Sequence, residues 1–164
     1  MDGLNFQTSI ALADMGVRLG LAGLCGFLIG FEREARERPA GLRTHMLVSL
    51  AAAVFALIAL EMIAQFGSED DRTQLDPIRV VEAVTAGVAF LAAGTIIQSR
   101  GAVKGLTTGA GMWLAGAIGL ASGAGFITIA LMGTGFALLV LVPLRTIEGH
   151  VFDKSGNDNE DSRN

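Results

Sequence analysis

Long apolar runs alternate with short polar segments along this chain, and five apolar runs can be distinguished. They cover roughly residues 15–31, 46–64, 80–97, 103–122 and 126–144. A membrane-spanning helix needs about 20 mostly apolar residues, so each run is close to spanning length. The runs are continuous and do not alternate with polar positions, which favours helices over the strands of a barrel. The pattern predicts an all-α, polytopic membrane protein with a bundle of about five transmembrane helices.

The polar segments predict the limits of the domains. Residues 15–145 form the five-helix transmembrane domain, and residues 1–14 form a segment before it. Residues 146–164 are rich in Asp, Asn and Ser, so we expect a disordered acidic tail. No basic residue precedes Arg18, which is the wrong charge for a signal peptide, so we expect the first run to stay in the mature protein.

Basic residues are distributed unequally between the two sides that five spans would create. Only Arg72 and Arg79 lie on one side. The other side carries nine basic residues: Arg33, Arg36, Arg38, Arg43, Arg100, Lys104, Arg145, Lys154 and Arg163. Because basic residues accumulate in cytoplasmic segments, the N-terminus is predicted outside and the C-terminal tail in the cytoplasm.

The composition excludes several classes of function. The chain has 164 residues, of which 51% are hydrophobic, and a formal net charge of −4. That charge leaves no basic face for phosphates and argues against a nucleic-acid partner. The single cysteine, Cys25, lies in an apolar run and is interpreted as a packed side chain. No phosphate-binding loop, serine elbow or metal-binding histidine pair is present, so we expect no enzymatic activity and no cofactor.

Small residues four positions apart recur in the apolar runs. The glycine pairs are Gly16/Gly20, Gly26/Gly30, Gly101/Gly105, Gly105/Gly109 and Gly119/Gly123. In a bilayer this spacing allows helix backbones to approach closely. We expect the glycines to pack helices within one bundle. A homodimer face on the first span, including Gly26, is the second interpretation, and the two do not exclude each other.

Four motifs, in order, resemble the signature of MgtC/SapB membrane proteins over about residues 15–145. They are Gly30-Phe31-Glu32-Arg33-Glu34, Ala40-Gly41-Leu42-Arg43-Thr44-His45, Phe90-Leu91-Ala92-Ala93-Gly94-Thr95-Ile96-Ile97 and Val103-Lys104-Gly105-Leu106-Thr107-Thr108 with Trp113 following. The resemblance implies a five-helix domain in the inner (plasma) membrane of a bacterium. The family often carries a further cytoplasmic domain, so this chain resembles a short form with the membrane domain alone.

For function, the resemblance implies a connection with magnesium limitation and with the F-type ATP synthase as a partner of some members. Two alternatives stay open: a membrane regulator that binds another complex, or an oligomeric transporter of Mg²⁺ or a small solute. Between Glu61 and the inner boundary, the second run offers Ser49 as its one polar side chain. Such a thin polar lining favours the regulator.

An inner polar site is predicted where two hairpins meet the cytoplasm. Its candidate residues are Glu32, Arg33, Glu34, Arg43, Thr44, His45, Thr95, Lys104, Thr107 and Thr108. Interfacial anchoring explains most of them, but it explains poorly why acids stand among the arginines. We expect Glu32 to form a buried site with the second hairpin, and Arg36 to lie on the exposed side of the same helical turn.

An outer polar cluster is predicted at the opposite ends of the spans, from Arg18, Glu61, Arg79 and Glu82. Charged residues in spans tend to pair, so mutual neutralisation is the first interpretation. The alternative is that Glu61 and Glu82 supply the oxygen ligands that Mg²⁺ prefers, although the arginines would repel a dication.

Overall fold

Five helices and one short hairpin make up the fold in the computed structural model, which describes residues 8–66, 76–99 and 102–142. The helices are α1 (Leu12–Glu34), α2 (Leu42–Phe66), α3 (Pro77–Gly94), α4 (Leu106–Gly123) and α5 (Ile127–Leu141). The strands are β1 (Ile97–Ser99) and β2 (Ala102–Lys104). The helical fold class predicted from the apolar runs is confirmed, and the hairpin is an addition to it.

The hairpin corrects two predicted boundaries. The apolar runs predicted a third helix up to residue 97 and a fourth from residue 103, but α3 ends at Gly94 and α4 begins at Leu106. Residues 97–99 instead pair antiparallel with residues 102–104. Gly105 then adopts a left-handed conformation with φ of 89°, which a residue with a side chain rarely adopts. Ile97 and Val103, which hydropathy alone assigned to helices, are β-branched residues and lie in the strands.

Three helices are long and apolar enough to cross a bilayer: α1, α2 and α3. Within the described residues α5 is shorter, at 15 residues, and α4 is rich in glycine and threonine. The charged end of α1 is helical through Glu34, so the helix continues past its apolar run. At the start of α3, Asp76 caps the helix by accepting from the backbone N–H of Ile78 at 2.9 Å.

Helices α1, α2 and α4 contact one another, and glycines allow α2 to approach each of the other two closely. A Cβ on Gly26 would lie 2.8 Å from the carbonyl oxygen of His45, and one on Gly30 would lie 2.7 Å from Cα of Leu42. On the other side, a Cβ on Gly119 would lie 2.7 Å from Cα of Ser49. Gly26 thus packs helices within the bundle, as expected for the glycines, and is buried against α2 and not available for a homodimer face. A Cβ on Gly16 or Gly20 would meet no atom within 4 Å.

The two outer helices pack on this central layer. Helix α3 contacts α4, where the side chain of Val88 lies against Gly116. Helix α5 packs against α1 and α4 through a small apolar cluster that includes Cys25, Ile118 and Ala130. The buried position of Cys25 agrees with its interpretation as a packed side chain.

The surface of the bundle carries the large apolar side chains, while the core is built from small ones. Phe90, Leu12 and Phe136 are 81%, 69% and 62% exposed, whereas Ala22, Ala53 and Ala115 are fully buried. Small residues at helix contacts and large ones facing outward are typical of helices packed in lipid. This distribution and the three spanning helices define a membrane protein.

Several predictions fall outside the described residues. They concern the tail at 146–164, the start of the N-terminal segment, the loop with Asp71 and Arg72, Arg100 with Gly101, and the end of the fifth run.

Candidate functional site

The contact face of α1 continues into its charged end. Gly26, Ile29 and Gly30 are buried against the neighbouring helices, and Glu32 and Arg33 follow on the same side of the helix. Glu32 is 8% exposed and Arg33 is 4% exposed. Both charged groups therefore lie inside the bundle at the end that carries the α1–α2 turn, which we call the turn end.

Arg33 connects α1 to α4. Its Nη2 donates to Oγ1 of Thr108 at 3.4 Å, and Thr108 is buried in the first turn of α4. The Nε–H of Arg33 has no hydrogen-bond partner within the described part of the chain. A guanidinium with a free donor in a buried position is a polar group that a further acceptor would stabilise.

His45 is the second polar group in this interior and is completely buried. Its Nδ1 donates to the carbonyl oxygen of Gly41 at 2.9 Å, since a carbonyl oxygen accepts only. In the neutral ring Nε2 is then an acceptor, and it has no partner among residues 8–66, 76–99 and 102–142. The ring faces α4, where a Cβ on Gly111 would lie 3.2 Å from Nε2. Gly111 thus makes room for the imidazole.

Glu32 forms an ion pair with Arg36, one turn further along the chain. Its carboxylate accepts no hydrogen bond of regular geometry in the described ranges. The expectation that Arg36 lies on the exposed side is corrected here, because its guanidinium is turned towards the buried acid. The helix ends at Glu34 and the turn that follows brings Arg36 back to Glu32.

Glu34 has a structural role at the same end. Its Oε2 accepts from the backbone N–H of Leu42 at 2.9 Å, at the first residue of α2. A carboxylate at a helix N-terminus satisfies a free N–H and the helix dipole. A side chain on Gly41 would collide with this carboxylate, so the glycine keeps the turn tight.

The other residues predicted for the inner polar site do not join these contacts. Arg43, Thr107 and Lys104 are exposed, and Thr44 is half-buried. Thr95 donates to the carbonyl oxygen of Ala92 in its own helix at 2.7 Å. The structure therefore brings together a smaller set, which we call the buried cluster: Glu32, Arg33, His45 and Thr108, with Arg36 as the partner of Glu32.

At the opposite end, the four predicted residues act separately. Arg18 pairs with Asp14 at 2.7 Å and donates to the carbonyl oxygen of Gly123 at 3.1 Å. Glu61 accepts from the backbone N–H groups of Ser9 at 2.8 Å and Ile10 at 2.9 Å.

Arg79 and Glu82 lie exposed on α3. The expected mutual neutralisation of the outer polar cluster is thus not formed in the described residues, because Arg18 and Glu61 bind backbone groups and Asp14 instead. Glu61 has both oxygens engaged, which leaves it poorly suited as a metal ligand.

The buried cluster offers two kinds of ligand atom, the carboxylate oxygens of Glu32 and Nε2 of His45. Across the part of the chain that is described, no group of three or more His, Cys, Asp or Glu lies close enough to hold a metal ion. The neighbouring Arg33 adds a positive charge that opposes a bare cation. The arrangement is suited to holding polar contacts between α1, α2 and α4.

Arg36, Asp14 and Gly111 were not among the predicted site residues. Helical periodicity offered the signal for Gly111, since it follows Thr108 on the buried face of α4. The pairing of Arg18 with Asp14 follows from their spacing of four residues in α1.

Taken together, the apolar helices that are long enough to span a bilayer and the buried charged turn end define a polytopic membrane protein. The MgtC family model matches residues 19–150. The chain therefore belongs to the MgtC family, as the four motifs indicated.

Curated relatives agree with this assignment. The chain is 34% identical over 147 residues to "Putative magnesium transporter YhiD" of Escherichia coli. This match covers 87% of the chain and 66% of the relative. It is 35% identical to Protein SapB of Bacillus subtilis, covering 77% of this chain and 54% of that protein. It is 38% identical to Protein MgtC of Brucella abortus, and the match covers 83% of this chain and 53% of that protein.

The chain spans between about half and two thirds of the length of these relatives. No solved structure matches the chain.

Proposed function

We propose that this protein is a membrane regulator that acts in magnesium homeostasis by binding another membrane complex, and that it neither conducts ions nor catalyses a reaction. The name of the relative "Putative magnesium transporter YhiD" supports the link to magnesium. The proposed location is the bacterial inner membrane. There, five spans place the N-terminus outside and the turn end in the cytoplasm, in line with the basic residues.

The observation that carries the regulatory role is the close packing of α1, α2 and α4. Gly30 and Gly26 bring α1 against the backbone of α2, and Gly119 brings α4 against Ser49. Ser49 itself donates to the carbonyl oxygen of Ala22 at 2.8 Å, so its hydroxyl is satisfied inside the bundle. Backbone contact on both sides of α2 leaves little room for a water-filled path from the buried cluster to the opposite end.

The buried cluster is the proposed responsive part of the molecule. Charged groups inside a membrane bundle are expensive and are often functional. Here Glu32 and Arg33 each have polar atoms without a regular hydrogen bond in the described residues. A change at the cytoplasmic surface that alters the partner of either group would change how α1 contacts α4.

Transport by an oligomer is the second candidate, and the printed name of YhiD favours it. A groove between α2 and α3 has walls of almost entirely apolar side chains. An ion crossing there would lose its hydration without gaining ligands, which is costly. This argument supports the regulator over the transporter for a single chain.

The partners of the regulator are part of the proposal. The F-type ATP synthase, implied by the resemblance, is one candidate complex. A homodimer is another, and its face would include Gly16 and Gly20, where α1 is open to contact. Both would use the apolar outer surface of the bundle, within the lipid bilayer.

The test combines ion flux with growth. Proteoliposomes that contain only this protein are loaded with a magnesium-sensitive dye, and Mg²⁺ entry is compared with protein-free liposomes. In parallel, a host strain that lacks its own family member is grown at limiting magnesium with the wild-type chain, Glu32→Gln or Arg38→Gln. Arg38 is exposed in the same turn and provides the matched control.

We expect no Mg²⁺ flux above the protein-free level for any chain. Glu32→Gln should lose growth support while accumulating in the membrane, because it removes the buried partner of Arg36. Arg38→Gln should retain support. Wild-type flux that disappears in Glu32→Gln would establish the transporter instead.

A further inference from the structure

The groove between α2 and α3 has a volume of about 630 Å³. It exists because α3 rests on α4, through Val88 and Gly116, and makes fewer contacts with α2. Its walls run from Val48 and Leu91 near the turn end to Met62 and Val80 near the opposite end. Val48 and Met62 are separated by about 21 Å along α2 at 1.5 Å per residue. That length exceeds one leaflet of the hydrocarbon core, about 15 Å, so a lipid chain fits along it.

Two groups of opposite charge lie at one end of this apolar groove. Asp76, the N-cap of α3, and Arg79, in its first turn, both line the groove and both are exposed. Asp76 uses Oδ1 to cap the helix at Ile78, which holds the side chain in place and leaves Oδ2 for another donor. Since α2 and α3 are long enough to span a bilayer, this end of the groove lies at a membrane surface, where lipid headgroups are found.

We propose that the groove binds a phosphatidylethanolamine, with one acyl chain between α2 and α3, the phosphate against Arg79 and the ammonium group against Asp76. The headgroup carries a negative phosphate next to a positive ammonium group. The two charges complement the positive Arg79 and the negative Asp76. Its ammonium N–H groups can donate to a carboxylate. Phosphatidylcholine has no such donor, and phosphatidylglycerol has no cation, so each lacks one of the two contacts.

The wild-type protein tests the headgroup preference directly. Purified protein in detergent is mixed with equal amounts of phosphatidylethanolamine, phosphatidylcholine and phosphatidylglycerol that share the same acyl chains. Retained lipid is measured by native mass spectrometry. We expect phosphatidylethanolamine to be retained about tenfold more strongly than either other lipid, as one extra charge-assisted hydrogen bond would provide. Equal retention of the three lipids would overturn the proposal.

Gly87→Leu tests whether the groove is the binding site. Gly87 lines the groove, and a Cβ on it meets no atom within 4 Å, so leucine would project into the groove without displacing a helix. Retention of all three lipids should fall. The matched control is Gly135→Leu on α5, where the added side chain also meets open space but lies outside the groove. Ala83→Leu is a second blocking variant. Lipid retention at the wild-type level in both blocking variants would exclude the groove as the binding site.

Asp76→Asn tests the ammonium contact. Asparagine caps helices about as well as aspartate, so the start of α3 should be preserved while the charge is removed. The preference for phosphatidylethanolamine over phosphatidylcholine should disappear, whereas Glu82→Gln, on the same helix but not in the groove, should preserve it. A preference that survives Asp76→Asn would contradict the assignment. So would blocking variants that lower a crosslinked dimer and leave lipid retention unchanged, since the groove would then hold a second copy.

Discussion

Arg33 occupies an unusual position for an arginine in a membrane protein, since it lies on the packing face of its helix and not at the lipid surface. It follows Gly26, Ile29 and Gly30 at helical spacing, and that spacing carries it into the contact with α4. Thr108 is positioned in the same way, one turn before Met112 on the buried face of α4. The polar contact between Arg33 and Thr108 therefore lies on the same faces of α1 and α4 that pack the two helices together.

Thr108→Val should destabilise the bundle by about 1–3 kcal/mol, because it leaves a buried donor of Arg33 without its acceptor. Thr107→Val is the matched control, since Thr107 is the exposed neighbour, and should change stability by less than about 0.5 kcal/mol. Unfolding in mixed micelles, followed by the fluorescence of the single tryptophan, Trp113, measures both. Equal stability of the two variants would show that the contact contributes nothing.

The candidate residues could be found from the sequence, but not the subset that is buried. The charged residues beside the apolar runs, together with the sequence motifs on the two hairpins, located the turn end. Selecting Glu32, Arg33, His45 and Thr108 from that list requires the rotation of each helix about its axis. The apolar runs are hydrophobic on all sides and give little information about that rotation. The position of Arg36 depends on the turn after Glu34, which the pattern of residues does not specify.

At the scale of the elements, α2 is closely confined, because it touches the backbone of α1 on one side and of α4 on the other. Glycine is required there by space and not by conformation, since these positions are ordinary helix. The helices themselves were predictable from hydropathy and polar interruptions. The strands at 97–99 and 102–104 were not, because each is only three residues long and mixes apolar with polar residues, which gives no period that marks a strand.

Gly26→Ala should destabilise the protein by about 1–3 kcal/mol, since its Cβ would meet the backbone of His45 and Met46, which cannot move aside without shifting α2. Gly20→Ala, six residues earlier in the same helix, meets open space and should be neutral or stabilising by up to about 1 kcal/mol. The same unfolding measurement compares the two. A stable Gly26→Ala would mean that α1 and α2 are further apart than described.

For the whole molecule, the proposed topology makes a prediction about the two surfaces. A reporter fused after Arg145 should read cytoplasmic and one inserted near Asp71 should read external, because nine basic residues lie on one side and two on the other. Both positions lie outside the described residues, so the measurement is independent of the helix contacts. Two reporters on the same side would contradict the five-span arrangement.

The contact between Arg33 and Thr108 also has a consequence in time. The two residues are 75 positions apart in the chain. At about 5–20 residues per second, a ribosome needs about 4–15 s to make the segment between them. Helix α2 is made within that interval, and Arg33 has no α4 to contact until the interval ends. Because an unpaired charge is costly in the bilayer core, we expect its guanidinium to stay near the headgroups and the hairpin of α1 and α2 to reach its final depth only after α4 has emerged.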